Sequence, residues 1–273
     1  MPMSLTKLGP PEAGFIWSRL VLQSSELLRA TSLGKAAVDD LVSACAECAH
    51  RLTDCHSTLA RLSAYRLRVL DDWSRNGKRV TPLVHLEPVR PDAERFLYEA
   101  KNCLRDATAF LRYGFGLPVD EASSFGGLAK REKDAVKLLL PVVGEAHDLI
   151  RFLRSNQPWL SELIAMRNAV EHPGGRSGRL ITDNFVFPAN GQVSRPQWYR
   201  DQSPPSLLIE EAAELFGLLL MFCEELMAYV AKHHAASPHL RVTEDPAARG
   251  TELPSLSYSR GQWICGGERS VRH

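Results

Sequence analysis

Between Val38 and Trp73 apolar residues recur at a seven-residue spacing. One series runs Val38, Cys45, Leu52, Leu59, Arg66 and Trp73, and a second runs Leu41, Cys48, Cys55, Leu62 and Val69. A repeat of seven keeps one stripe of a helix apolar along its whole length. That stripe is a packing seam, broken only at Arg66, and it directs the reading toward an all-α bundle.

The other segments agree with helices. Residues 12 to 31 place Phe15, Ile16, Leu20, Leu27 and Leu28 at helical spacing, and Gly34 interrupts the run. Residues 74 to 91 hold prolines and a glycine without helical periodicity, so a domain boundary is expected there, closing an N-terminal helical region at about residue 75. Asp92 then reads as an N-cap for a helix to about Tyr113, with Phe96, Leu97, Ala100, Cys103 and Leu104 on its apolar face. Glu99, Asn102 and Asp106 read as its exposed face. Residues 128 to 155 read as one helix kinked at Pro141, and Pro158 as the start of the next. Ser206 opens a last helix to about His233, apolar enough to be a core helix or a dimer face.

Two stretches depart from helix. Residues 180 to 200 alternate like strands around Asn190-Gly191, a hairpin turn signal, so a short β-hairpin is expected between helices. Residues 236 to 273 are rich in Ser, Pro, Gly and Arg and read as a flexible tail.

Charge and cysteine usage narrow the function classes. A formal net charge of +1 supplies no global basic field, so nucleic-acid binding would need a local patch. No apolar run follows a basic start at the N-terminus, and the longest such run, Leu215 to Cys223, is too short to span a bilayer. The expectation is a cytoplasmic protein with no membrane part and reduced thiols. Cys45 and Cys48 form a C-x-x-C with His50, Cys55 and His56 close behind, which invites a zinc site. Three of those cysteines fall on the apolar seam, where cysteine behaves as a small hydrophobe, so no metal or other cofactor is expected.

The stretch from Trp159 to Pro173, WLSELIAMRNAVEHP, carries the one constellation with a mechanism attached. Its polar face presents Glu162, Arg167, Asn168, Glu171 and His172. Pro173 disfavours helical geometry in the residue before it, so the helix should end at or just before His172. Arg167 and His172 then converge only if the chain leaves the helix there, because five helical steps would set them about 140° apart. Asn168 and His172, four apart, are placed for the amide to orient the imidazole. Arg167 and Glu171 have ion-pair spacing, and a histidine in a last turn suits the helix dipole, so an ordinary surface reading also accounts for the cluster.

The run Arg167, Asn168, Glu171, His172 before a proline resembles the R-x4-6-H signature of the HEPN superfamily, small helical domains of which many are metal-independent ribonucleases. The bare spacing occurs three times, at Arg51 to His56, Arg79 to His85 and Arg167 to His172. Only the third has the polar neighbour and the helix-terminal histidine. The resemblance covers about residues 92 to 235 and implies a helical bundle of HEPN type; the inserted β-hairpin and the long N-terminal helical hairpin that precedes the domain go beyond a minimal member of that family. It further implies a homodimer whose paired motifs cleave RNA through the 2′-hydroxyl, with Arg167, Asn168 and His172 catalytic. Toxin or phage-defence roles, and an antitoxin or regulatory partner, follow from the same resemblance.

Nearby, Arg176 and Arg179 are candidate RNA contacts, and with Arg195, Arg200, Trp198 and Tyr199 they form a mixture able to bind phosphates and stack a base. The competing expectation is a non-catalytic helical dimer of the same type that binds a partner protein or a nucleotide.

Overall fold

A computed structural model describes residues 13–76, 89–126, 133–186, 193–201, 203–237, 240–244 and 256–260. The heptad seam becomes a single 42-residue helix, α3 (Lys35–Asn76). Preceding it, α1 (Gly14–Trp17) and α2 (Gln23–Arg29) are joined by a π-helical turn at Ser18–Leu22. After it come α4 (Val89–Phe115), α5 (Ala135–Val143), α6 (Asp148–Glu171) and α7 (Leu208–His233).

The seam meets α4 in antiparallel fashion. Cys48 Sγ approaches the Cys103 carbonyl, Cys55 Sγ that of Phe96, and Arg61 grips Asp92. As the number rises along α3 it falls along α4. On the other side α7 runs antiparallel to both α3 and α6, with Phe216 against His56 and Phe222 against Phe152 and Trp159. Helices α4 and α7 approach closely at Gly114, where a Cβ would lie 2.8 Å from both Val230 methyls. Any larger residue there would force the two helices apart.

One buried cluster runs from Ala13 to Val230 and includes residues of α1 to α7. The boundary expected near residues 74 to 91 therefore does not separate two cores. Residues 77–88 lie outside the described residues, but the helices on either side pack along each other. Beyond Leu62 the seam stays covered at Val69, while Leu67 and Leu70, which lie off it, are 69% and 44% exposed. Arg66, the break in the repeat, ion-pairs with Glu210 of α7 instead of packing.

Several helix limits differ from the sequence reading for identifiable reasons. Helix α4 begins at Val89, so Asp92 is not its cap but lies in the first turn and serves as the Arg61 partner. The expected helix from 128 to 155 is divided after Val143, where Gly144 takes φ +84 and His147 Nδ1 accepts the Leu149 amide to cap α6. Pro141 lies within α5 rather than kinking a longer helix. Pro158 does not start a helix either, because α6 runs through it. An interior proline costs about 3 kcal/mol; here Phe152 stacks on Phe222, Trp159 meets the same ring edge-on, and Trp159 Nε1 donates to Asn156 Oδ1. These ring contacts hold α6 on α7 on both sides of the proline.

The β segment is larger than one hairpin. Strands β1 (Leu180–Asp183), β2 (Gln197–Arg200) and β3 (Ser206–Leu207) form an antiparallel sheet in that order, with Leu180 opposite Arg200 and Gln197 opposite Leu207. Ser206 thus belongs to a strand, and Leu207 is the N-cap position of α7. The Asn190-Gly191 turn falls outside the described residues. Within the stretch read as a tail, β4 (Leu240–Glu244) and β5 (Leu256–Arg260) pair antiparallel, β4 near α7 and β5 near α2. Among the described residues no helix is long and apolar enough to cross a membrane.

Helix α7 is a core helix rather than a free dimer face, and it carries a charge inside the core. The π-turn delivers Arg19 to Glu224, whose two carboxylate oxygens accept from Nε, at 2.7 Å, and from Nη2. Both side chains are almost fully buried. Removing one partner strands the other, so Arg19→Met or Glu224→Leu alone should cost about 3–5 kcal/mol in urea denaturation. The double variant should recover most of that loss. A double variant as unstable as the two losses added together would contradict this account of the pair.

Candidate functional site

The last turn of α6 ends as its sequence requires. His172 is the C-cap, at φ −132 and ψ 68, and its amide still donates to the Asn168 carbonyl at 2.8 Å. Gly174 then takes φ +79, and its amide donates to the Gly178 carbonyl while that of Gly175 returns to the His172 carbonyl. The segment 173 to 179 is a hydrogen-bonded turn whose end is tied by the Arg179 amide to Asp201. Arg176 and Arg179 are both exposed on it.

Arg167 and His172 take different environments. Arg167 is 9% exposed, with its guanidinium carbon 5.0 Å from the centre of the Tyr98 ring. Its Nη2 lies 3.6 Å from Glu171 Oε1, an ion pair too long for a hydrogen bond, and its buried Nη1 finds no partner among the described residues. His172 is exposed. Between them in sequence stands Glu171, whose carboxyl is held below the usual carboxylate range. The hydrogen bond from Lys101 is the main cause, reinforced by the charge of Lys101 and then of Arg167 and His172, against a smaller opposing effect of burial.

Asn168 does not orient the imidazole as expected. Its Oδ1 accepts from Lys101 Nζ at 2.9 Å, and the same ammonium reaches Glu171 Oε2 at 3.1 Å. Lys101 was not singled out by sequence reasoning. The available signal was the spacing of Tyr98, Lys101 and Arg105 along one face of α4, at steps of three and four. That face borders a cleft of about 510 Å3, lined also by Asn102, Asn168 and Glu171, with Asp120 and Glu121 across it.

The other candidates are distributed elsewhere. Trp198 is 1% exposed, packed on Phe96 with its indole N–H donated to Glu211, so it is not available to stack a base. Arg200 grips Glu162 and the Ser177 carbonyl, and Arg195 pairs with Glu210. Glu99 and Asp106 are not a solvated face, since both hold Arg51. That removes the Arg51–His56 match: Arg51 is engaged with α4, and His56 packs between Phe15 and Phe216. Arg79 and His85 lie outside the described residues.

Cys45, Cys48 and Cys55 are buried in the core as the seam requires. Burial pushes the Cys45 thiol up to about 12. The thiols regroup across helices: the Sγ atoms of Cys48, Cys103 and Cys223 lie within 4.8 Å of one another, the one set of three potential metal ligands among the described residues. Comparison with protein-family models, curated proteins and solved structures finds no match.

The Glu171 environment has a pH signature. A carboxyl held below its unfolded value, about 4.3, contributes stability that is full above that pH and fades as pH falls through the folded value. Wild type should melt above Glu171→Gln at neutral pH, and the two curves should converge in acid. A gap that persists unchanged at low pH would assign the difference to packing instead of charge.

Proposed function

We propose that the chain is a HEPN-like, metal-independent endoribonuclease of toxin or phage-defence type, active as a homodimer with the 167–172 motifs of two copies facing one cleft. The observation that carries this reading is the placing, at one helix end, of a buried arginine whose Nη1 finds no partner among the described residues and an exposed histidine at which the chain leaves the helix. A guanidinium is charged at any physiological pH and can grip two phosphate oxygens. An imidazole is the usual proton-transfer group near neutrality.

In this mechanism one His172 takes the proton of the ribose 2′-hydroxyl. The 2′-oxygen bonds to the adjacent phosphorus, Arg167 stabilises the pentacoordinate phosphorane, and the bond to the 5′-oxygen breaks. The leaving oxygen takes its proton from the second His172. One imidazole cannot be base and acid at the same instant, which is why two copies are required. Asn168, held by Lys101, positions the helix end, while Arg176 and Arg179 on the following turn extend the contact along the RNA.

A second reading has an observation of its own. Arg167 is only 9% exposed and faces Glu171, which suits a non-catalytic helical dimer that binds a partner protein or nucleotide. The two readings differ in outcome with a mixed RNA pool. As an endoribonuclease, the protein should cleave RNA in EDTA, leave 2′,3′-cyclic phosphate and 5′-hydroxyl ends, and spare DNA of the same sequence. His172→Ala should lose at least about a hundredfold in rate with its melting temperature retained, and Arg167→Lys should keep binding better than rate. Cleavage that needs magnesium, or that persists undiminished in His172→Ala, would move the assignment to the non-catalytic dimer.

A further inference from the structure

Glu171 is an ill-suited resident of the place it occupies. It is the last residue of α6, where the helix dipole disfavours a negative charge, and no basic residue of that last turn compensates it. Its side chain is 41% exposed, and it is held by Lys101 Nζ, 3.1 Å from Oε2, and by the longer contact from Arg167. Arg167 has meanwhile been withdrawn from water without filling its donors: Nη2 stops at 3.6 Å from the carboxylate and Nη1 has no partner. A buried guanidinium left in that state is costly unless something else completes it. Carboxylate and phosphate are matched by the same guanidinium fork, so either anion can take the position.

The surroundings admit the larger of the two. Lys101, Asn168 and Glu171 stand on the wall of the cleft of about 510 Å3 next to the half-exposed ring of Tyr98. That volume lies in the range of small-ligand sites, enough for a nucleotide unit whose phosphate enters from the cleft side.

We infer that Lys101 joins Arg167 and His172 in a phosphodiester-binding site, and that the Glu171 carboxylate is an internal stand-in which RNA phosphate displaces. The inference rests on the reading of that cluster as an RNA site, and it adds a residue from another helix and a built-in competitor. Displacement leaves Lys101 bonded to Asn168 and hands its second donor, with those of Arg167, to the phosphate. Glu171 swings into solvent from an already exposed position. The free protein is thereby held in a weakly binding state.

The test is binding of a fluorescein-labelled 2′-O-methyl oligonucleotide, which lacks the nucleophile and therefore reports association without cleavage. Glu171→Gln should bind about tenfold tighter than wild type, one unit of charge competition removed. Lys101→Met should bind about tenfold weaker or worse, with the salt slope reduced by about one. Lys101→Arg should restore affinity, which separates charge from mere packing. Equal affinity of wild type and Glu171→Gln, an unchanged salt slope in Lys101→Met, or no binding by either wild type or Glu171→Gln overturns the inference. Its failure is distinguishable from failure of the nuclease reading. His172-dependent cleavage of RNA with a KM unaffected by Lys101→Met removes the Lys101 role alone, whereas Lys101- and Glu171-dependent binding without cleavage of RNA removes catalysis alone.

Discussion

A 42-residue helix spans about 63 Å, and its apolar seam has to be covered along most of that length. Helix α4 lies antiparallel on it and α7 runs beside both, and every other element takes its position from that contact. With Phe96, Leu97, Cys103 and Leu104 pressed inward, α4 has its opposite face left for Tyr98, Lys101 and Arg105. Helix α6 reaches that face because its own rings, Phe152 and Trp159, are anchored on Phe222 of α7. The meeting of Lys101 with Asn168 and Glu171 is therefore a product of core packing on two sides. No loop has to be ordered to create it.

The buried Arg19–Glu224 pair belongs to the same logic of constraint. A buried ion pair adds little to stability against an apolar replacement, but it is strongly destabilising to break. Here it ties the π-turn between α1 and α2 to the middle of α7. The pair thus adds a charged tie to the apolar packing of Ile16, Leu20 and Leu28 that fixes the N-terminal segment to the core, while the ion pairs around the candidate site are longer or more exposed. The strongest charge contact is in the core, while the Glu171 carboxylate keeps its partners at a half-exposed surface.

The long seam was legible in the sequence because its seven-residue period and its burial are the same fact: Cys45, Leu52 and Leu62 have no exposed surface. The end of α6 was legible because Pro173 acts on the backbone of His172 through local sterics. Tertiary effects were not. Pro158 reads as a helix start, yet ring packing with Phe222 carries α6 through it, and the break falls instead at Gly144. Trp198 reads as a stacking residue beside several arginines, but strand alternation turns it inward onto Phe96. Lys101 and Glu224 were not singled out, since spacing along one helix does not reveal which helix will face it. Arg19 and Glu224 lie 205 residues apart, beyond the reach of any periodicity. The strands at 240–244 and 256–260 have the same origin, a pairing between segments whose composition reads as a tail.

What unites the site is that Lys101 of α4 and Arg167 of α6 meet on the Glu171 carboxylate beside the helix-terminal His172, and the account stands or falls on whether an RNA phosphate takes that carboxylate's place. Nuclear magnetic resonance of the Arg167 Nε–H group and the His172 ring, followed while a non-cleavable oligonucleotide is added, reports this directly. The account predicts that both signals move together at one ligand concentration, while the Nε–H signals of Arg19 and Arg51, committed to core and helix–helix pairs, stay in place. Movement of neither Arg167 nor His172 at saturation, with binding seen by other means, would put the RNA elsewhere on the molecule and contradict it.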